Sequence, residues 1–393
     1  MSKIDFKQLL CRIYSVSIFR GVIEREEMAF FADFLGSDDL SKKMWNYGRF
    51  INSLGKYGGS FSEFLKAAVC EDENVYITTK AKGKDVSDAI RLNTENELSL
   101  FTFLSSLTSE MLFDDGEFTA YIPVFENTYT DFAEMYRRRE GEIGKYGYGI
   151  FASNCMFKVE NGEIVPVKSA DDISIESFVG YEEERQQVIE NTRALTEGRP
   201  AANTLLCGDA GTGKSSTVKA AANMFFSEGV RLIEVRKDQL FSLSHVMGKI
   251  AENPLKFIIF IDDLSFNKND DCFSMLKAAL EGSASAQASN AVIYATSNRR
   301  HIVKESFSDR AQSDDIHHSD TVQELLSLSD RFGLVVYFSK PSKSLYLSIV
   351  HDLAKRMGVV MDKKEIELKA EQFALAKGSR SPRAALQFIN SLL

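Results

Sequence analysis

Residues 208 to 215 read Gly208-Asp209-Ala210-Gly211-Thr212-Gly213-Lys214-Ser215, which is the order G-x-x-x-x-G-K-[ST]. The chemistry this serves is the holding of a phosphate. Glycines let backbone N–H groups turn toward an anion with no Cβ in the way, and a helix N-terminus behind them adds a favourable dipole. Lys214 can then reach the β- and γ-phosphates of a nucleotide, and the Ser215 hydroxyl can ligand Mg²⁺. Ser216, next in the same turn, is assigned with the loop to nucleotide binding. A second set of groups follows the apolar run Phe257-Ile-Ile-Phe-Ile261, which ends in Asp262 and Asp263. Asp262 suits a Mg²⁺ ligand, direct or through water, and Asp263 suits a group that orients or deprotonates attacking water. Asn298 closes the run Ala291-Val-Ile-Tyr-Ala-Thr-Ser, where an amide can hydrogen-bond the γ-phosphate or that water.

These groups need parallel strands with helices between them. Asn203 to Cys207 reads as a buried strand entering the loop. Lys214 to Ser227 reads as a helix leaving it, with Val218, Ala221, Ala222 and Phe225 on one face and Gly229 beyond its end. Arg231 to Val235, Phe257 to Ile261, Ala291 to Ser297 and Leu334 to Phe338 are further strand candidates separated by helical stretches, which predicts βαβ units. Apolar strands buried on both faces present their polar residues at the C-terminal ends, where ligands of parallel sheets bind. Arg331 in Ser327-Leu-Ser-Asp-Arg-Phe-Gly333 stands before the last strand, either as a surface charge or as an arginine finger. The tail predicts a small helical subdomain: Ser342 to Lys355, a helix opened by Asp362 and ended by Gly378, and a third capped by Ser381 with Pro382 at its first position. Arg383 falls in that first turn, where its charge opposes the helix dipole unless a phosphate faces it; Arg380 is a weaker candidate for the same task.

The chain has 393 residues, long for one domain, with an apolar fraction of 44% and a charged fraction of 26% typical of a folded soluble protein. No apolar run suits a membrane span, and the charged N-terminus is unlike a signal peptide. Five dispersed cysteines without a C-x-x-C pair fit reduced thiols in a cytoplasm. The net charge of −9 argues against a surface that coats polyanions generally. Four regions are expected: a helical domain over 1–112, a mixed linker region with a β-hairpin around Asn161-Gly162 over 113–174, an α/β nucleotide-binding domain over 175–340, and a helical lid over 341–393. In the first region Leu9, Ile13, Val16 and Phe19 recur at helical spacing, as do Tyr47, Phe50, Ile51 and Leu54. Ser60-Phe-Ser-Glu63 and Thr94-Glu-Asn-Glu97 are capping-box patterns, and the interleaved aromatics read as core rather than as a nucleic-acid groove. Arg137 to Arg139 reads as a solvated basic helix turn, and His317-His318 among acidic residues as a loop rather than a metal site.

In order along the chain, Phe178-Val-Gly-Tyr181, the phosphate loop, Asp262-Asp263, Asn298, Ser329-Asp-Arg-Phe-Gly333 and Ser381-Pro-Arg383 resemble an AAA+ ATPase. The resemblance implies that Val179, Gly180 and Tyr181 flank the adenine, that Asn298 is sensor 1, Arg331 the arginine finger and Arg383 sensor 2. It also implies ATP and Mg²⁺ as cofactors, ADP as product, a homo-oligomeric ring, and a protein or nucleic-acid client that the sequence does not name. The Asp-Arg-Phe-Gly and Ser-Pro-Arg elements are similar to those of the Holliday-junction branch-migration motors. Asn191-Thr, Gly198-Arg-Pro-Ala-Ala-Asn203 and Ser327 to Leu334 resemble a bacterial AAA+ family catalogued as a domain of unknown function. The likeness covers roughly 175–393. One departure is Asp263, where most AAA+ proteins carry Glu; the shorter side chain implies a slower hydrolase or a nucleotide switch. A nucleotide-dependent adaptor with little turnover is the competing expectation, and a P-loop kinase fits the sensor and finger elements poorly.

Overall fold

The computed structural model describes residues 4–113, 121–167, 173–264, 271–280, 288–298 and 331–393. The chain divides into two units, Met1–Ser153 and Asn154–Leu393.

The first unit is helical because its sequence supplies caps and apolar stripes in phase. Asp39 accepts the N–H of Lys42 to open Leu40–Ser53, and Ser60 accepts that of Glu63 to open Phe61–Glu71. The expected stripe of Leu9, Ile13, Val16 and Phe19 is buried, as are Tyr47, Phe50 and Leu54, with Ile51 packed against the same core. Phe31, Phe50 and Phe61 meet pairwise with ring centroids 5.0–5.1 Å apart. These aromatics are core. One capping box is corrected. Ser87, not Thr94, opens the helix Asp88–Leu104. Thr94 lies inside it and donates its hydroxyl back to the Ile90 carbonyl. Buried Glu97 instead accepts the backbone N–H groups of Ser17, Ile18 and Phe19, fixing a distant loop. Arg137 and Arg138 are exposed on the helix Phe132–Gly141. Within the region expected to be mixed, residues 121–123 form no strand.

In the second unit seven described strands form one sheet: β1 Met156–Glu160, β2 Glu163–Pro166, β3 Thr204–Gly208, β4 Val230–Glu234, β5 Lys256–Ile261, β6 Ala291–Ser297 and β7 Leu334–Phe338. Their order is β2-β1-β4-β5-β6-β3-β7, parallel except for the β1/β2 hairpin. Phe257 to Ile261 have no exposed surface, as strands covered on both faces require. The hairpin turns at Asn161-Gly162, both at positive φ, as the sequence signal predicts. Its assignment to a linker is corrected: β1 pairs in parallel with β4, Met156 opposite Leu232, so the hairpin extends the sheet. The lid helices Lys343–Arg356, Lys363–Ala376 and Pro382–Asn390 pack through Tyr346, Val350, Ala370, Ala385 and Ile389. Ser342, Asp362 and Ser381 cap them, and Gly358 and Gly378 follow the first two in left-handed conformation.

Candidate nucleotide site

The loop after β3 is shaped by contacts that only glycine permits. At Gly208, φ is +142°, and a Cβ would stand 2.0 Å from the Phe338 carbonyl oxygen of β7. Gly211 (φ +77°) faces the lid: the backbone N–H of Arg383 donates to the Gly211 carbonyl at 3.3 Å. Gly213 N-caps the helix Lys214–Met224. The Thr212 hydroxyl donates to the Asp209 carbonyl at 2.9 Å and closes the turn. Asp209, Ser215 and Ser216 are half-buried and Ala210 is exposed.

Lys214 is buried, and its Nζ donates to the Gly208 and Asp209 carbonyls at 3.0 and 2.8 Å and to Asn298 Oδ1 at 2.9 Å. Burial holds this ammonium below the ordinary lysine value, partly offset by Cys207, Asp209, Asp262 and Asp263. Asn298 Nδ2 donates in turn to Asp263 Oδ1 at 2.8 Å. Beside this path the Ser215 hydroxyl donates to Asp262 Oδ1 at 2.6 Å. A hydroxyl and a carboxylate are hard oxygen donors. Mg²⁺ commonly takes one or two carboxylates and completes its shell with phosphate and water. Lys214, Ser215, Asp262, Asp263 and Asn298 come together, as expected from the sequence.

Of the other expected residues, those of 179–181 and Arg383 lie where the loop and the lid meet, and Arg331 lies away from them. Gly180 (φ +76°) would meet Leu345 of the first lid helix at 2.6 Å if it carried a Cβ, and Val179 packs against the lid core. Tyr181, at φ +59°, donates its hydroxyl to the Ser339 carbonyl at 2.6 Å and rests on the Phe338 ring. Arg383 is exposed at the start of the third lid helix, against the loop. Arg380 is not equivalent to it, because its Nε and Nη2 donate to the two oxygens of the Glu371 carboxylate at 3.0 and 2.7 Å. Arg331 is half-buried before β7. Leu334 pairs with Thr204 and Phe338 with Gly208, so the start of β7 is four strand steps, roughly 13 Å, from the loop end of the sheet. His317 and His318 lie outside the described residues. Among the described residues no group of three or more His, Cys, Asp or Glu is placed to hold a metal. Nor is any described helix long and apolar enough to cross a membrane.

Thr296 went unassigned in the sequence. It accepts the Asp263 N–H at 2.9 Å and donates to Asp262 Oδ1 at 2.6 Å. A threonine near the end of an apolar strand carries no signal of this. Only the register, with Ile261 opposite Ala295, brings it beside Asp262.

A phosphate loop between strand and helix, β3 set between β6 and β7, and a three-helix subdomain touching the loop make a P-loop α/β fold, the architecture that the likeness to AAA+ proteins leads one to expect. The family described as "Protein of unknown function (DUF815)" matches residues 152–393, and the chain belongs to it. No curated protein matches. Among solved structures the Thermotoga maritima RuvB Holliday junction branch migration motor is similar at 16% identity, covering 56% of this chain and 63% of its own, with a TM-score of 0.37. A lysine-to-arginine mutant of that motor is similar at 15% identity over 56% of this chain and 63% of its own, with a TM-score of 0.38. The chain thus spans less than two thirds of either of these structures.

Proposed function

We propose that this protein is an oligomeric ATPase that couples ATP binding and hydrolysis to the remodelling or loading of a protein or nucleic-acid client. The observation that carries this reading is the hydrogen-bonded path Lys214–Asn298–Asp263, with Ser215 and Asp262 beside it. Lys214 would exchange its loop carbonyls for oxygens of the β- and γ-phosphates, and the backbone of Gly208 to Gly213 would cradle the chain of phosphates. Ser215 and Asp262 would hold Mg²⁺, which would supply neutralisation of the charge on those oxygens. Asp263 then takes or orients a proton of the attacking water, and Asn298 bridges that carboxylate to the γ-phosphate side. Arg383, against the loop, would follow the nucleotide and carry its state into the lid. Val179, Gly180 and Tyr181 with Leu345 line the proposed adenine side. Arg331 would serve a neighbouring copy.

The second reading, a slow nucleotide-dependent adaptor, is favoured by the engagement of Asp263. Its carboxylate already accepts from Asn298 and has to be released or shared before it can act as a base. Phosphate release from Mg²⁺–ATP under multiple turnover, measured over a range of protein concentration, separates the two. Activity per protomer that rises with concentration is expected. Tight nucleotide binding without multiple turnover at any concentration would leave only the adaptor.

A further inference from the structure

Asp263 stands at φ +51°, in the left-handed region that side chains other than glycine seldom adopt. A carboxylate on a one-carbon stem follows its own backbone closely, so this turn decides where the Asp263 charge lands. It lands against Asn298 Nδ2 at 2.8 Å, and Asn298 holds Lys214 Nζ at 2.9 Å on its other side. The turn is itself tied to one residue of β6. Thr296 accepts the Asp263 N–H on its hydroxyl at 2.9 Å, and its carbonyl accepts the Leu264 N–H at 2.6 Å. The proton of that hydroxyl goes to Asp262 Oδ1 at 2.6 Å. Ser215 and the Asp263 N–H donate to the same oxygen, and Oδ2 takes none of the three bonds. Thr296 is 2% exposed and sits in the middle of the sheet, paired with Leu206 of β3 on one side. Its geometry is therefore fixed by the strands rather than by solvent.

We propose, building on the ATPase reading above, that Thr296 is the positioning residue of the carboxylate pair. Its one hydroxyl orients Asp262 by donating to Oδ1, which leaves Oδ2 outside that cluster of three hydrogen bonds. By accepting from the Asp263 amide it also holds the left-handed turn that aims the second carboxylate at the γ-phosphate side. The effect of Thr296 passes through the two aspartates to which its hydroxyl is bonded.

Full-length Thr296→Val and Thr296→Ala lack the hydroxyl, and Thr296→Ser keeps it. Three readouts apply: steady-state turnover, melting temperature, and the ratio of mant-ATP dissociation constants measured in EDTA and in Mg²⁺. Val and Ala are expected to lower kcat about 30-fold or more with KM within about threefold, as for loss of an interaction used in the transition state. They should also shrink the gain in affinity that Mg²⁺ confers, while Ser stays within about threefold of the parent protein in both. Should Val fail to fold, the Ala and Ser pair still differ by the hydroxyl alone. The proposal is overturned if Ala or Val matches the parent protein in turnover and in Mg²⁺ gain, or if Ser is as impaired as Ala. If the parent protein binds mant-ATP yet never turns over, it is the ATPase reading that fails. The Mg²⁺ ratio across the variants still judges Thr296.

Discussion

Lys214 is the residue on which the site's charge balance turns, because its ammonium is buried with two carbonyls and an amide oxygen as its acceptors. Phosphates are a far stronger partner, so Lys214→Ala should weaken ATP affinity by ~100-fold or more in a mant-ATP titration. An affinity within twofold of the parent protein would refute the loop assignment. Burial holds the empty-site ammonium below the ordinary lysine value of 10.5. Bound phosphates favour the charged form, so binding takes up a proton wherever the empty site has begun to lose it. ATP affinity should therefore fall as pH rises, starting below the usual lysine range, with proton uptake visible by calorimetry in buffers of different ionisation enthalpy. The sign for folding is opposite. The unfolded chain binds the extra proton, so Lys214 makes the empty protein more stable as pH rises through its lowered value. Asp263→Asn should retain nucleotide affinity and lose turnover, because the amide cannot accept the proton while Asp262 is untouched. An unchanged rate would remove Asp263 from the chemistry. These residues stood out in the sequence because the phosphate-loop pattern fixes their types and spacing. Thr296 was not, since its role depends on a strand register between residues far apart in the chain.

Among the elements, β3, β7 and the loop between β3 and its helix depend on one close approach. A Cβ at Gly208 would stand 2.0 Å from a backbone oxygen of β7, and no flexible side chain can yield there. Gly208→Ala should therefore open the β3/β7 pairing and cost ~3 kcal/mol or more, seen as a melting temperature lowered by several degrees, whether or not nucleotide is present. A variant as stable as the parent would mean that β7 is not held against the loop. The lid helices were legible end to end, because Ser342, Asp362, Ser381, Gly358 and Gly378 are local signals that nothing distant overrides. The Thr94–Glu97 box misled for the converse reason. Ser87 had already started the helix about two turns earlier, leaving Glu97 to serve the loop at Ser17 to Phe19. The hairpin Met156–Pro166 was found as a hairpin but not as part of the sheet, because its pairing with β4 joins positions some 76 residues apart, 156 with 232.

At the scale of the whole molecule, the compact unit from Asn154 and the family match from residue 152 coincide, so a fragment of 152–393 should fold and bind ATP alone. On the proposal that Arg331 is an arginine finger, hydrolysis by that fragment would depend on it. Gly333 lies against Ala202, and Leu334 donates its N–H to the Asn203 carbonyl, which sets Arg331 beside the start of β3. The phosphate loop is at the other end of that strand, so an arginine side chain from this position does not reach the chain's own γ-phosphate site. If Arg331 stabilises transition-state charge at all, it does so in a second copy, and that assigns the active state to an assembly. A finger supplied in trans is worth ~10³ or more in rate, so isolated protomers should be almost inactive. Arg331→Ala and Lys214→Ala proteins are each expected to be inactive alone. Mixed, they should recover part of the activity, because some interfaces then pair an intact loop with an intact arginine. Recovery should follow the statistical share of such interfaces as the mixing ratio varies. No recovery at any ratio, or full activity in dilute parent protein shown to be monomeric by sedimentation, would refute the shared site.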